Sequence, residues 1–406
     1  MTFAFYKKLK TYGMHDYRKD LLAGLTVAVM VIPQGMAYAL LAGLPPIYGL
    51  YAALVPMLIY PFFGSSLHLS VGPVALVSIL VLSGLSTIAE PMSEEYIQLA
   101  ILTSLVAGAI QVILSVVRMG FLVNFLSQPV ISGFTSAAAF IIALSQLKHL
   151  LGIPMERTSN VVTILEELFY RIQEINPYTL LIGLVALLLI LWIRKIKESI
   201  PAALFAVFLG IGVVYFFQLQ DYGVAIVEDV PEGLPHFSFP SITLSNVLKV
   251  FPLAFVICLI SFIESLAIAK TLSAKNNNYP ISANQELLGL GIAKVIGGFF
   301  QAFPNTGSFT RSAINEQAGA KTGISSLWTA FFVGLTLVFF TGLFYYLPQT
   351  VLASIIIASV IGLVDYKEAI FLYGKDKKDF SVMILTFLVT LFIGIQEGVL
   401  AGVILS

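Results

Sequence analysis

Long apolar stretches alternate along the chain with short polar or breaker-rich ones, and a spanning helix needs about 20 mostly apolar residues at a rise of about 1.5 Å each. By that measure the first half contains candidate spans at 21–42, 48–64, 70–87, 97–117, 125–148, 178–194 and 201–219. The second half offers 248–272, 285–301, 307–319, 324–346, 348–364, 379–395 and a stub from 396, so the pattern predicts fourteen segments. The third and tenth are too short or too polar to cross alone. Residues 151–177, with Glu156, Arg157, Glu166, Glu167 and Arg171, interrupt the apolar pattern and read as an external amphipathic helix.

Charge placement tests the count, because Lys and Arg gather in cytoplasmic loops. With the N-terminus inside, the inner loops receive Arg118, then Arg194, Lys195 and Lys197, then Lys275, Lys321, and finally Lys367, Lys375, Lys377 and Lys378. The outer segment 220–247 carries Asp221, Glu228, Asp229 and Glu232 and no basic residue. Removing one helix would put basic clusters on both sides. Residues 1–20 have no cleavable apolar core and read as a cytosolic leader ahead of a transmembrane transport domain over 21–406. The last stretch, Gly398 to Ser406, is too short to span, so the chain is expected to be truncated within its fourteenth helix.

Composition agrees. The 406 residues are 58% hydrophobic and 11% charged, with a mean hydropathy of +0.94, outside the range of soluble domains. Twenty-two basic residues balance 22 acidic ones, which leaves no basic excess for nucleic acid. One cysteine, Cys258, and four scattered histidines give no metal or haem signature, and no cofactor is expected. Paired acids, a Ser/Lys dyad or a His/Glu metal motif at helical spacing are missing from the apolar spans, which argues against an enzyme.

The halves resemble each other. Pro33-Gln34-Gly35-Met36-Ala37-Tyr38-Ala39 aligns with Ile263-Glu264-Ser265-Leu266-Ala267-Ile268-Ala269, placing Gln34 opposite Glu264. Seven helices per half, an odd number, invert the second copy. The predicted fold is therefore an all-α polytopic membrane protein of 14 segments in two inverted seven-helix repeats, about 21–219 and 248–406, with half-helices at segments 3 and 10. That arrangement points to a midplane site in a secondary transporter.

Two interrupted segments carry the candidate chemistry: Ser70-Val71-Gly72-Pro73-Val74-Ala75, and Pro304-Asn305-Thr306-Gly307-Ser308-Phe309-Thr310-Arg311-Ser312. Two half-helix N-termini meeting near the centre would offer free N–H groups and positive dipole ends to an anion; alternatively, Gly72-Pro73 merely kinks a helix. Arg311, costly at membrane depth, either attracts an oxyanion beside Ser308, Thr310 and Ser312 or pairs with Glu316 or another internal acid to join helices. Glu264 is a candidate for proton or cation coupling, or else holds Arg311 or Lys294 in place. Lys294 reads as a structural partner or a snorkelling side chain.

Pro33 to Pro46, Tyr48-Gly49-Leu50-Tyr51, Phe63-Gly64-Ser65-Ser66 to Gly72-Pro73, and Gly307 to Ala313 followed by Asn315, Ala318-Gly319-Ala320 and Thr322 together resemble the SulP sulfate-permease family, whose animal relatives are anion exchangers and the motor protein prestin. The resemblance implies a core domain of helices 1–4 and 8–11 moving against a gate domain of helices 5–7 and 12–14. It implies an anion site lined by Gln34, Tyr38, Val74, Ala75, Ser308, Phe309, Thr310, Arg311 and Ser312, with Glu264 as the ion-coupling residue. Thr310 stands where the family usually has Ser and keeps the hydroxyl. Family members continue into a cytoplasmic STAS domain and form homodimers; no STAS domain is found in these 406 residues, as expected of a truncated chain. The resulting expectation is a multi-pass protein of the plasma (inner) membrane that takes up sulfate or a similar small oxyanion with protons, by an elevator-like shift. A sodium-coupled bicarbonate carrier, a dicarboxylate carrier and an anion channel or exchanger of the same fold are the alternatives.

Overall fold

A computed structural model describes residues 12–121, 127–155, 158–197, 200–276, 279–395, 397–398 and 401–402. The first helix, α1 (Met14–Leu41), starts well before the expected residue 21 because Asp20 is fully buried, its carboxylate accepting from the Lys321 and Thr322 N–H groups at 2.6 and 3.1 Å. Next come α2 (Pro46–Phe63), strand β1 (Val71–Gly72), α3 (Ala75–Leu85), α4 (Glu94–Val116), α5 (Gln128–Ser145), the single turn α6 (Leu147–Leu151), α7 (Val161–Tyr170), α8 (Pro177–Ile196) and α9 (Ala202–Phe217). The second half contains α10 (Leu244–Lys275), α11 (Ala283–Phe299), β2 (Thr306–Gly307), α12 (Phe309–Gln317), α13 (Ile324–Phe339), α14 (Gln349–Val360), α15 (Tyr366–Lys375) and α16 (Lys377–Phe392).

Six stretches are long and apolar enough to cross a membrane unaided: α1, α2, α4, α5 with α6, α8 and α10. The shorter apolar helices α3, α9 and α13 need neighbours to satisfy and cover their ends. The expected span 324–346 stops at Phe339 and continues as a 3₁₀ turn, Thr341–Phe344, and 348–364 likewise tightens to 3₁₀ at Ile361–Leu363. Asp376 starts α16 by accepting from the Lys378 and Asp379 N–H groups. The amphipathic segment is α7, which buries Val161 and Ile164 and is capped by Asn160. The stub from 396 lies mostly outside the described residues.

The helices pack in two groups. In one, α1 lies on α2 and α13, and α4 lies on α10 and α11, which in turn meets α2. In the other, α8 packs on α9 and α14, and α5 on α14 and α16. Small residues set the closest approach: a methyl group at Gly49 would lie only 1.9 Å from the Gly35 carbonyl oxygen, so α1 and α2 touch backbone to backbone. The half-helices α3 and α12 have 11 and nine residues, about 16 and 14 Å long, and reach roughly half-way through a bilayer core.

Candidate functional site

The two breaker segments cross as an antiparallel pair, Val71 opposite Gly307 and Gly72 opposite Thr306. The Ser308 N–H donates to the Ser70 carbonyl at 3.0 Å, and the Ser70 N–H donates to the Ser312 hydroxyl at 2.8 Å. This pairing satisfies extended backbone that could not otherwise lie among buried helices. Each strand then feeds a helix start, α3 after Val74 and α12 after Ser308, whose hydroxyl accepts from the Arg311 N–H at 3.4 Å.

Arg311 reaches from α12 into the other breaker. Its Nη1 donates to the Pro73 carbonyl at 2.9 Å, while Nε and Nη2, both buried, have no partner among the described residues. Pairing with Glu316 is not realised, since that carboxylate accepts from Asn276 at 3.3 Å, and the ion pairs among the described residues, His15–Asp16 and Arg171–Glu174, involve neither Arg311 nor Glu264. A fully buried guanidinium with free donors between two helix N-termini is suited to an oxyanion.

Glu264 borders a cavity of about 700 Å³ that lies between the two helix groups, with Leu76 of α3, Phe309 of α12, Ser132 and Thr135 of α5, and Asp365 around it. Its Oε2 is buried without a partner among the described residues. It does not hold Lys294, which is fully buried, not snorkelling, and donates to Gln111 at 3.0 Å. A second cavity of about 460 Å³ opens at the opposite ends of α3 and α10, lined by Ser83, Thr87, Lys249 and Leu253.

The structure gathers Ser308, Arg311 and Ser312 with Pro73 and buries Ala75 at the start of α3, Val74 being half-buried. Gln34 and Tyr38 are buried on α1, which passes the same breaker: a methyl group at Gly35 would lie 3.7 Å from the Pro73 ring. Phe309 and Thr310 occupy the exposed side of the first α12 turn. Sequence reasoning missed Ser261 and gave no role to Ser265 or Thr306, although both lie in the stretches it singled out. The Ser265 hydroxyl bonds Thr306 Oγ1 at 2.9 Å and accepts from the Gly307 N–H at 2.9 Å, bolting the residue after Glu264 to β2. The spacing of four between Ser261 and Ser265 in an apolar helix was the available signal. It also missed Glu286, a buried carboxylate that accepts from the Tyr60 and Ser65 hydroxyls at 2.8 and 2.6 Å and from the Ser65 and Ser66 N–H groups. Among the described residues no group of three His, Cys, Asp or Glu side chains could hold a metal.

Apolar helices in two packed groups, with broken helices meeting at the buried Arg311, define a multi-pass integral membrane protein. The profile described as the Sulfate permease family matches residues 17–386, and the chain belongs to that family, one of transporters rather than enzymes. Sulfate transporter 4.1, chloroplastic, of Arabidopsis thaliana is 44% identical over 410 residues, 99% of this chain and 59% of that protein. Probable sulfate transporter 4.2 of the same plant is 44% identical over 402 residues, covering 97% and 59%. The chain thus spans about three fifths of the length of these relatives. Among solved structures, the murine solute carrier 26 member A9 anion transporter in its inward-facing state superposes with a TM-score of 0.90 at 25% identity, over 98% of this chain and 69% of that one. The transmembrane domain of the cyanobacterial bicarbonate transporter BicA gives 0.82 at 22% identity, over 96% and 98%, a likeness of fold alone.

Proposed function

We propose that the protein is a secondary active transporter that takes up sulfate or a similar small oxyanion together with protons. The observation that carries this reading is Arg311, a buried guanidinium whose Nε and Nη2 have no partner among the described residues, between the starts of α3 and α12. The anion sits there, lined by Gln34, Tyr38, Val74, Ala75, Ser308, Phe309, Thr310, Arg311 and Ser312. Glu264 borders the cavity leading towards the site and is the coupling residue: unprotonated, it repels the incoming anion, and protonated, it leaves the Arg311 charge uncompensated. The names of the plant relatives support sulfate as cargo.

The group of α1 to α4 with α10 to α13 is the moving core, and the group of α5, α8, α9, α14 and α16 is the gate, within a fourteen-segment, inverted-repeat plan. Cavities at opposite ends of α3 and α10 support an elevator-like shift that opens each in turn. In the full-length protein we place the N-terminus in the cytoplasm, the chain in the plasma (inner) membrane and two copies in a homodimer. Purified protein in liposomes, given sulfate, bicarbonate or a dicarboxylate under imposed pH or sodium gradients, tests the reading. Sulfate accumulation driven by a pH gradient is expected; accumulation of bicarbonate driven only by sodium would replace the proposal with the rival carrier, and conduction without accumulation would make it a channel.

A further inference from the structure

Lys294 is an ammonium without a carboxylate. It is fully buried on α11, takes part in no ion pair among the described residues, and donates to Gln111 Oε1 of α4 at 3.0 Å. An ammonium can only donate, so this contact fixes which end of the Gln111 amide faces it. Gln111 Nε2 is thereby turned to α10, where it donates to Ser261 Oγ at 2.9 Å and the Cys258 carbonyl at 3.0 Å. The Ser261 carbonyl accepts from the Thr306 hydroxyl at 3.0 Å. With the only hydrogen of Thr306 used there, the 2.9 Å contact with Ser265 has Ser265 as donor, and the Ser265 oxygen accepts from the Gly307 N–H. Each bond is thereby oriented, with Lys294 and Gln111 donating towards Ser261 from one side and Ser265 and Thr306 from the other, and the series links Lys294 across three helices to the strand that precedes Arg311.

We propose that Lys294 is a positioning residue for the anion site, acting through Gln111, Ser261 and Thr306 to hold β2 in register with β1. The register matters because the Ser308 turn follows directly, and Arg311 meets the Pro73 carbonyl only while the strands stay paired. Without the ammonium the Gln111 amide is free to turn over, and its N–H groups leave Ser261. The proposal rests on the reading of Arg311 as the anion site.

Two variants separate positioning from a simple tie between helices. Lys294→Met removes the donor. Gln111→Glu gives Lys294 an ion-pair partner, so the helices stay joined, but it removes both N–H groups from α10. For each purified full chain, hydrogen exchange at the Thr306 to Ser308 amides, the KM for inorganic sulfate in liposomes and the melting temperature are measured. Positioning requires faster exchange at Gly307 and a KM raised by about tenfold in both variants, with the melting temperature of Gln111→Glu at or above that of the parent. Parental exchange and parental KM in Gln111→Glu overturn the proposal, whatever Lys294→Met does to stability, and they decide the matter if Lys294→Met fails to fold. If the parent shows no saturable sulfate uptake, the transport reading fails, and exchange at Gly307 still decides whether Lys294 holds the strand.

Discussion

The α-carbon of Gly72 lies against the guanidinium of Arg311: a methyl group built on it would come within 3.2 Å of Nη2 and 3.4 Å of the Met57 methyl. The smallest residue of one breaker thus makes room for the largest buried side chain of the other. A kink alone would not need that match, so Gly72-Pro73 does more than bend a helix.

Gly72→Ala should therefore fold, because the neighbours need give only a few tenths of an ångström, but it should shift Nη2 and raise the KM for sulfate several-fold. Gly72→Val should do more, by roughly tenfold or greater, since a branched side chain meets both neighbours. Uptake kinetics beside a melting curve check this, and unchanged KM in both variants would place the anion elsewhere.

Arg311→Ala should leave an inserted, folded protein that does not take up sulfate saturably. A hydrogen bond to a charged group contributes about 1.5–3 kcal/mol, so losing one such contact to the anion already weakens binding by roughly ten- to a hundredfold. Equilibrium sulfate binding on the purified variant is the measurement, and parental affinity is the outcome that sinks the site.

Ser265→Ala should lower the melting temperature, since it strips the Gly307 N–H of its buried acceptor at about 1–3 kcal/mol for an unsatisfied group. Ser308→Ala should cost about 1 kcal/mol as a lost helix cap, whereas Thr310→Val, on the exposed side of the same turn, should leave stability within about 0.5 kcal/mol of the parent. Thermal unfolding of the three variants side by side ranks them.

Much of this arrangement is legible in the sequence because a membrane simplifies the code. Apolar runs announce helices, and Pro and Gly announce where they break, so both half-helices and Arg311 could be located within a few residues. What periodicity does not carry is partner choice. Arg311 could have paired with Glu316, and Lys294 with Glu264; the structure instead gives Glu316 to Asn276 and Lys294 to Gln111, and Glu264 Oε2 has no partner among the described residues. Start positions were misjudged where a polar residue found buried donors, as Asp20 does in Lys321 and Thr322 from the far half of the chain.

Glu264→Gln should separate coupling from binding. The neutral amide resembles the protonated acid, so sulfate binding and sulfate-for-sulfate exchange should persist and lose their pH dependence, while accumulation driven by a pH gradient stops. Binding, exchange and gradient-driven uptake are measured on one preparation. A variant that still concentrates sulfate under a pH gradient alone assigns the coupling proton to another group.

The pairing of Val71 with Gly307 also bears on how the protein is made. The two strands come from opposite halves of the chain, so the first emerges from the ribosome long before the strand it pairs with exists. Until Thr306 and Gly307 arrive, Val71 and Gly72 are left with unpaired backbone edges, a state that a bilayer penalises. Closure of this crossing therefore follows synthesis of residue 307, about three quarters of the way along the chain.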